Sequence, residues 1–234
     1  MSTQHRTVIV TGAAGNLGKA VAHAFAGLEA NLVLVDLERE SLERTFESES
    51  DRRAFVAANL LDMAGAASVA QAAIARFGGI DVLCNIAGGF RMGPAVHETV
   101  EADWDFLFDI NARTLLHAVR AVVPHMLAVG RGKIVNVGAF AAQKGVAHMG
   151  AYTAAKSTVI RMTEAMAAEL REKNINVNCV LPTVLDTPEN RGAMPKADPA
   201  KWVAPADLAN VIVFLASDAA RAVHGAAIPV TALS

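Results

Sequence analysis

The feature that most limits how this chain can fold is a rhythm. Short β-branched runs alternate with stretches long enough for helices. The strand candidates are residues 7–10, 31–35, 55–57, 81–84, 133–137, 175–181 and 228–230. Between them the pattern predicts helices over 17–28, 38–46, 64–77, 104–129 (with a kink or break at Pro124), 151–173 and 205–216, the last opening on Pro205. Strands apolar on both faces and joined by helix-length crossovers build an α/β fold. The expected architecture is a doubly wound parallel sheet with helices on both faces.

The bulk numbers fit that architecture. With 234 residues, 53% of them hydrophobic and 19% charged, the chain suits one large domain over 1–234 and has ample material for its core. A net charge of −2 supplies no basic field, which argues against nucleic acid or an anionic membrane as partner. No apolar run reaches the roughly 18 residues of a membrane span. Residues 1–6 are polar and run directly into a strand, so no signal peptide is expected. Cys84 and Cys179 lie in apolar segments and read as buried, inert thiols of a cytosolic protein. The histidines His97, His117, His125 and His224 are scattered without metal-ligand spacing, so no metal is expected. The one irregular stretch, 183–203, carries Pro188, Pro195 and Pro199. A loop this long inside a compact domain reads as a lid or substrate loop.

The first strand runs into Thr11-Gly12-Ala13-Ala14-Gly15-Asn16-Leu17-Gly18 and then a helix. Small residues let the backbone approach a pyrophosphate, and the helix start offers N–H donors and the positive end of its dipole. Asp36 ends the second strand 18 residues past Gly18, close to the spacing of an acid that accepts ribose hydroxyls. A carboxylate there repels a 2′-phosphate. Leu37 follows it, and no Arg or Lys lies between Gly12 and Gly18, so NAD(H) is expected over NADP(H), with Arg39 the one opposing charge. Asp36 also has a second reading, as a cap for the next helix.

Tyr152 and Lys156 stand four residues apart on one helix face. A free phenol titrates near pH ~10. A nearby ammonium favours the phenolate, and the pair can pass a proton while a nicotinamide passes a hydride. Tyr152 is the chain's single tyrosine.

The glycine loop, Asn85-Ile86-Ala87-Gly88, Asn111 and Tyr152-Thr153-Ala154-Ala155-Lys156, in this order, resemble the motifs of the short-chain dehydrogenase/reductase family over essentially the whole chain. The resemblance implies a Rossmann-like single domain carrying both cofactor and substrate. It implies that Tyr152 is the acid–base, that Lys156 binds the nicotinamide ribose, and that Asn111 holds a water of the proton relay. It further places Asn85, Ala87 and Gly88 beside the adenosine ribose, and Asn59 and Leu60 at the adenine. Pro182, Thr183, Val184 and Thr187 would follow the nicotinamide end. A homotetramer or homodimer is implied, with the helices over 104–129 and 151–173 packing across an interface.

Three positions depart from the family pattern. Asn16 replaces the middle glycine of the loop, and it tolerates left-handed backbone better than most residues. Pro182-Thr183 stands in place of Pro-Gly. Ala139, thirteen residues before Tyr152, occupies the place of the serine that donates to a substrate carbonyl. Losing one such donor costs on the order of 3 kcal/mol in the transition state. Gln143 and His148 are candidate replacements in the same segment.

The alternative is a conjugated, electron-poor substrate. Leu185-Asp186-Thr187-Pro188-Glu189-Asn190-Arg191, Met194-Pro195, Ala197-Asp198, Trp202 and Ala87-Gly88-Gly89-Phe90 resemble the corresponding segments of dihydropteridine reductases, which lack the serine and prefer NADH. Phe90, Ala139, Gln143, His148 and Met149 are the substrate candidates, with Arg91, Met92 and Trp202 beside them. Three functions stay open: NADH-dependent reduction of a pterin-like or other conjugated substrate, oxidoreduction of hydroxyl/ketone (including acyl-type) substrates, and a non-catalytic NAD-binding sensor.

Overall fold

The structure, a computed structural model, describes residues 5–234. The leader reading made on residues 1–6 falls, for residues 1–4, outside the described residues. Among the described residues seven strands form one parallel sheet: β1 (Thr7–Thr11), β2 (Asn31–Asp36), β3 (Arg53–Ala57), β4 (Val82–Asn85), β5 (Gly132–Val137), β6 (Ile175–Pro182) and β7 (Ala227–Val230). Their order is β3-β2-β1-β4-β5-β6-β7. The order reverses between β1 and β4, and that switch point opens a crevice at the carboxyl ends of the strands.

Alternation along each strand feeds two cores. Ile9, Leu83, Ile134, Val177 and Leu181 face α3 (Met63–Phe77), α5 (Thr114–Val129) and α6 (Gly150–Leu170). Val8, Val10, Val82, Val135 and Val180 face α1 (Asn16–Ala26), α2 (Arg39–Phe46) and α8 (Pro205–Ala216). The doubly wound sheet expected from the sequence is therefore the fold. Local chemistry sets several helix ends. Asp62 accepts from the Ala64 amide at the start of α3, and left-handed Gly78 and Gly130 close α3 and α5.

Two predicted elements differ. The helix expected over 104–129 is broken at a π-turn, Asp109–Arg113, between α4 (Glu101–Phe108) and α5, whereas Pro124 lies inside α5. The Asn111 side chain is tied to Leu107 and Gly89, and the extra residue of the π-turn lies at that tie. The stretch 183–203 is not a plain loop. It holds α7 (Pro188–Ala193) and a 3₁₀ turn (Pro199–Lys201), and a Leu185–Val203 bridge closes its base.

A buried polar ladder crosses the sheet behind the site. Asn85 Nδ2 donates to Asn136 Oδ1 and Asn136 Nδ2 to Thr163 Oγ1, both at 2.8 Å, and Thr163 Oγ1 donates to the Val159 carbonyl. The ladder joins β4 and β5 to α6, the helix that carries Tyr152 and Lys156. Asn85 Oδ1 has no partner within the described residues.

Candidate active site

The glycine loop is shaped by two close approaches. Gly12 has φ +62°, and a Cβ on it would lie 2.8 Å from the Ala87 Cα. A Cβ on Gly18 would lie 2.1 Å from the Gly12 carbonyl oxygen. Both positions require glycine. Asn16 needs no left-handed backbone, contrary to the sequence expectation. The turn is made at Gly12, and Asn16 is the first helical residue after Gly15. No side chain caps α1, and neither the Asn16 nor the Leu17 amide is bonded within the described residues. Those donors and the helix dipole fit an anionic phosphate. Leu17 itself is buried in the core, so its contribution here is the amide.

Asp36 stands at the end of β2, where its Oδ2 accepts from the Ala14 amide at 2.9 Å and its Oδ1 from Leu37 at 2.8 Å. It does not cap α2, whose N-cap is Glu38. Leu37 is exposed beside it. After β3, Asn59 is exposed, with Oδ1 accepting from Leu61, while the Leu60 side chain is buried and its carbonyl meets His117 Nδ1. The sequence did not single out Thr11. Its Oγ1 accepts from the Ile86 and Ala87 amides at 3.0 and 3.1 Å and donates to the Cys84 carbonyl, so it fixes the segment that carries Ala87 and Gly88.

At Gly88 three elements converge. A Cβ there would lie 2.9 Å from Asn111 Oδ1 and 3.1 Å from Lys156 Nζ. Asn111 is clamped, with Oδ1 accepting from the Gly89 amide and Nδ2 donating to the Gly89 and Leu107 carbonyls. Lys156 is buried and its Nζ donates to the Val137 carbonyl at 2.8 Å. Burial lowers its pKa to about 8. Tyr152 is partly buried, and burial pushes its phenol up to about 12. In the free protein desolvation therefore outweighs the phenolate-stabilising effect expected of Lys156, and no hydrogen bond joins the two groups among the described residues.

The Phe90 ring meets the Tyr152 ring edge-on at 4.9 Å. Tyr152 also closes a crevice of about 10 Å³ with Arg91, Met92, Asp103, His148 and Met149. His148 holds φ +61°, uncommon for a residue other than glycine, and its carbonyl accepts from the Gly93 amide at 2.8 Å. Ala139 is buried in the apolar cluster that packs against Tyr152. Gln143 is not at this site. It lines a separate cavity of about 380 Å³ with Ser157, Arg161, Leu181 and Ala227, because the turn after Ala139 (Phe140–Gln143) carries it away. Trp202 is buried and does not line the Tyr152 crevice.

On the far side, Pro182 ends β6, and Thr183 is tied to the chain end through Val230, Thr231 and Ser234. Val184 accepts from Val203 at the base of the loop, and Thr187 caps α7 by accepting from the Asn190 amide. Cys84 and Cys179 are free and buried, with burial raising both thiols, Cys179 to about 11. No group of three His, Cys, Asp or Glu among the described residues is placed to hold a metal.

The model of the short chain dehydrogenase family matches residues 6–198. The chain belongs to the short-chain dehydrogenase/reductase family. It is 34% identical over 236 residues to a (2S)-[(R)-hydroxy(phenyl)methyl]succinyl-CoA dehydrogenase subunit of Thauera aromatica, covering 96% of this chain and 94% of that one. It is 36% identical to the D-threitol dehydrogenase of Mycolicibacterium smegmatis, over 94% of this chain and 89% of that one. The 3-ketoacyl-(acyl-carrier-protein) reductase of Brucella melitensis, solved with NADH, superposes with a TM-score of 0.88 at 28% identity, covering 98% of each chain. This member of the family is an NAD(H)-dependent oxidoreductase.

Proposed function

We propose that the enzyme interconverts a secondary hydroxyl and a ketone through Tyr152, Lys156 and Asn111. The observation that carries this reading is the convergence at Gly88, where Asn111 Oδ1 and Lys156 Nζ come within about 3 Å of one point beside the tyrosine helix. A clamped amide and a buried ammonium there suit a proton relay. NAD(H), when bound, supplies or accepts the hydride. In the reducing direction Tyr152 Oη gives its proton to the carbonyl oxygen, and the ammonium of Lys156 stabilises the phenolate left behind. A phenol pushed up to about 12 needs that ammonium within reach, so Lys156 must turn from the Val137 carbonyl toward the reacting centre.

The glycine loop and the uncapped start of α1 would hold the pyrophosphate, and Asp36 the adenosine ribose, with Leu37, Asn59 and Leu60 toward the adenine. Pro182, Thr183, Val184 and Thr187 would border the nicotinamide end. His148 is the remaining polar candidate for the hydrogen bond that Ala139 cannot make. The named relatives support this reading, since their names describe dehydrogenases of a hydroxyacyl-CoA and of a polyol.

Two observations favour a second reading, reduction of a pterin-like or other conjugated ring. Ala139 is buried in apolar surroundings, and Phe90 adds an aromatic face at Tyr152. Steady-state turnover on a panel of hydroxyl, ketone and quinonoid dihydropterin substrates decides between them. Ala139→Ser should raise kcat/KM on ketones about tenfold or more under the first reading. No gain, with turnover of the dihydropterin, supports the second. Undiminished turnover in Tyr152→Phe would refute both, and only an unaltered protein that turns over none of the panel would leave the NAD-binding sensor.

One domain would carry both sites in a cytosolic enzyme. Exposed apolar residues on α5 and on α8, Leu116, Leu127 and Phe214, suit a homodimer or homotetramer, which light scattering measures.

A further inference from the structure

One contact joins parts of the chain that the sequence keeps far apart. Asn16 Nδ2, at the start of α1, donates to Glu189 Oε2 in the first turn of α7 at 2.8 Å, across 173 residues. Glu189 makes no ion pair among the described residues. Its own backbone N–H, the Thr187 hydroxyl and the Asn16 amide hold its carboxyl below the usual range, so it is an anion at neutral pH.

The segment that delivers it is stiff. Arg191 grips Asp186 with two bonds at 2.6 and 2.8 Å, and Asn190 Nδ2 donates to the Leu185 carbonyl at 2.8 Å. At the base, Asp186 donates to Val203 and Val203 to Val184, both at 2.9 Å. A fixed carboxylate is thus held against the uncapped, positive end of α1.

We infer that the Asn16–Glu189 bridge is a latch across the cofactor groove, and that Glu189 limits dinucleotide affinity by opposing the pyrophosphate charge at the start of α1. The inference rests on the reading of the glycine loop as the pyrophosphate site. Entry of the dinucleotide brings a second anion to the same helix end, so the bridge must open or the two charges must share it. Asn16 is what makes the latch possible, because glycine at that position has no side chain to reach α7. Glu189 is therefore a residue that sets affinity, and it need not touch the reacting atoms.

Glu189→Gln keeps an acceptor for Asn16 and removes the charge, while Glu189→Ala removes both. Fluorescence titration of the full chain should show NADH and ADP-ribose binding roughly three- to tenfold tighter in both variants at low salt. The difference should shrink in about 1 M salt, where the screening length is about 3 Å. Adenosine, which carries no pyrophosphate, should bind all three proteins alike. Unchanged or weaker NADH binding in Glu189→Gln overturns the latch, and so does an equal gain with adenosine. If the unaltered protein bound adenosine as tightly as ADP-ribose, the pyrophosphate reading of the loop would fall and take the latch with it.

Discussion

Lys156→Met should leave the free protein more stable at neutral pH while it abolishes turnover. Lys156 is buried, and burial, opposed only by the nearby Cys179, brings its pKa from 10.5 to about 8. At about 1.4 kcal/mol per unit, a charged Lys156 costs the fold about 3 kcal/mol below pH 8. Methionine removes that cost. It also removes the donor to the Val137 carbonyl, which the fold misses by about 1 kcal/mol. The net gain at pH 7 is about 2 kcal/mol, or roughly 4–8 °C in Tm for a chain of this size.

The sign depends on pH in a way that isolates the cause. Below about 8 both states carry the proton and the cost is complete. Between about 8 and 10.5 the unfolded chain still binds the proton that the folded protein has released, so the unaltered protein gains stability as pH rises. The advantage of the variant should fade over that window. Tyr152, raised to about 12, adds a slope of opposite sign only above pH 10, and it does so in both proteins. Urea unfolding of the two proteins at pH 7, 8, 9 and 10 measures the difference. A gap that stays constant across this range, or a variant less stable at pH 7, would refute the assignment of a buried, uncompensated charge.

Gly18→Ala places a methyl 2.1 Å from the Gly12 carbonyl, against backbone that cannot retreat. It should destabilise by about 1–3 kcal/mol despite the better helix propensity of alanine, with NADH binding lost alongside, as calorimetry and titration would show. Thr11→Val leaves the Ala87 amide without its acceptor and the Ile86 amide with the Cys84 carbonyl alone. An expected loss of about 1–3 kcal/mol is readable by urea unfolding. Asp36→Asn removes the charge that we propose rejects a 2′-phosphate, and the ratio of NADH to NADPH affinity should fall about tenfold, worth about 1.4 kcal/mol.

The sheet was legible because both signals that define it are local. β-Branched runs bounded by helix-length segments fall where β1 to β7 fall, and small residues mark the first strand–helix junction. Asp36, Tyr152 and Lys156 could be proposed from the sequence because a fixed chain spacing ties each to that frame. The π-turn around Asn111 was not legible, since it depends on the amide meeting Gly89 from another segment. The same holds for Thr11, whose hydroxyl serves a strand end more than seventy residues away. Pro124 did not mark the break, because a proline inside a helix removes one hydrogen bond without fixing where a break falls. Gln143 and His148 looked equivalent in sequence. One turn after Ala139 sends the first to another cavity and leaves the second at the crevice.

The buried polar groups explain why the two ends of the site differ in legibility. Thr11, Asn85, Asn111, Asn136, Thr163 and Lys156 are all buried, and most lie at or beside the carboxyl ends of β1, β4 and β5. Each such group costs free energy unless it is paired, so its position must be set by partners on other elements, and few residue types can replace it. That gives the proposed cofactor and proton-relay end a fixed vocabulary. The substrate end is built from exposed or apolar groups, Phe90, Met92, His148 and Met149, with Ala139 beneath them. None of these is pinned by a buried hydrogen bond through its side chain, so the fold constrains them weakly and the substrate is free to shape them. Ala139 sits at the boundary. A hydroxyl there would join the polar set, and its absence extends the apolar core up to Tyr152. Substrate choice therefore turns on whether His148 supplies the donor or the substrate does without one.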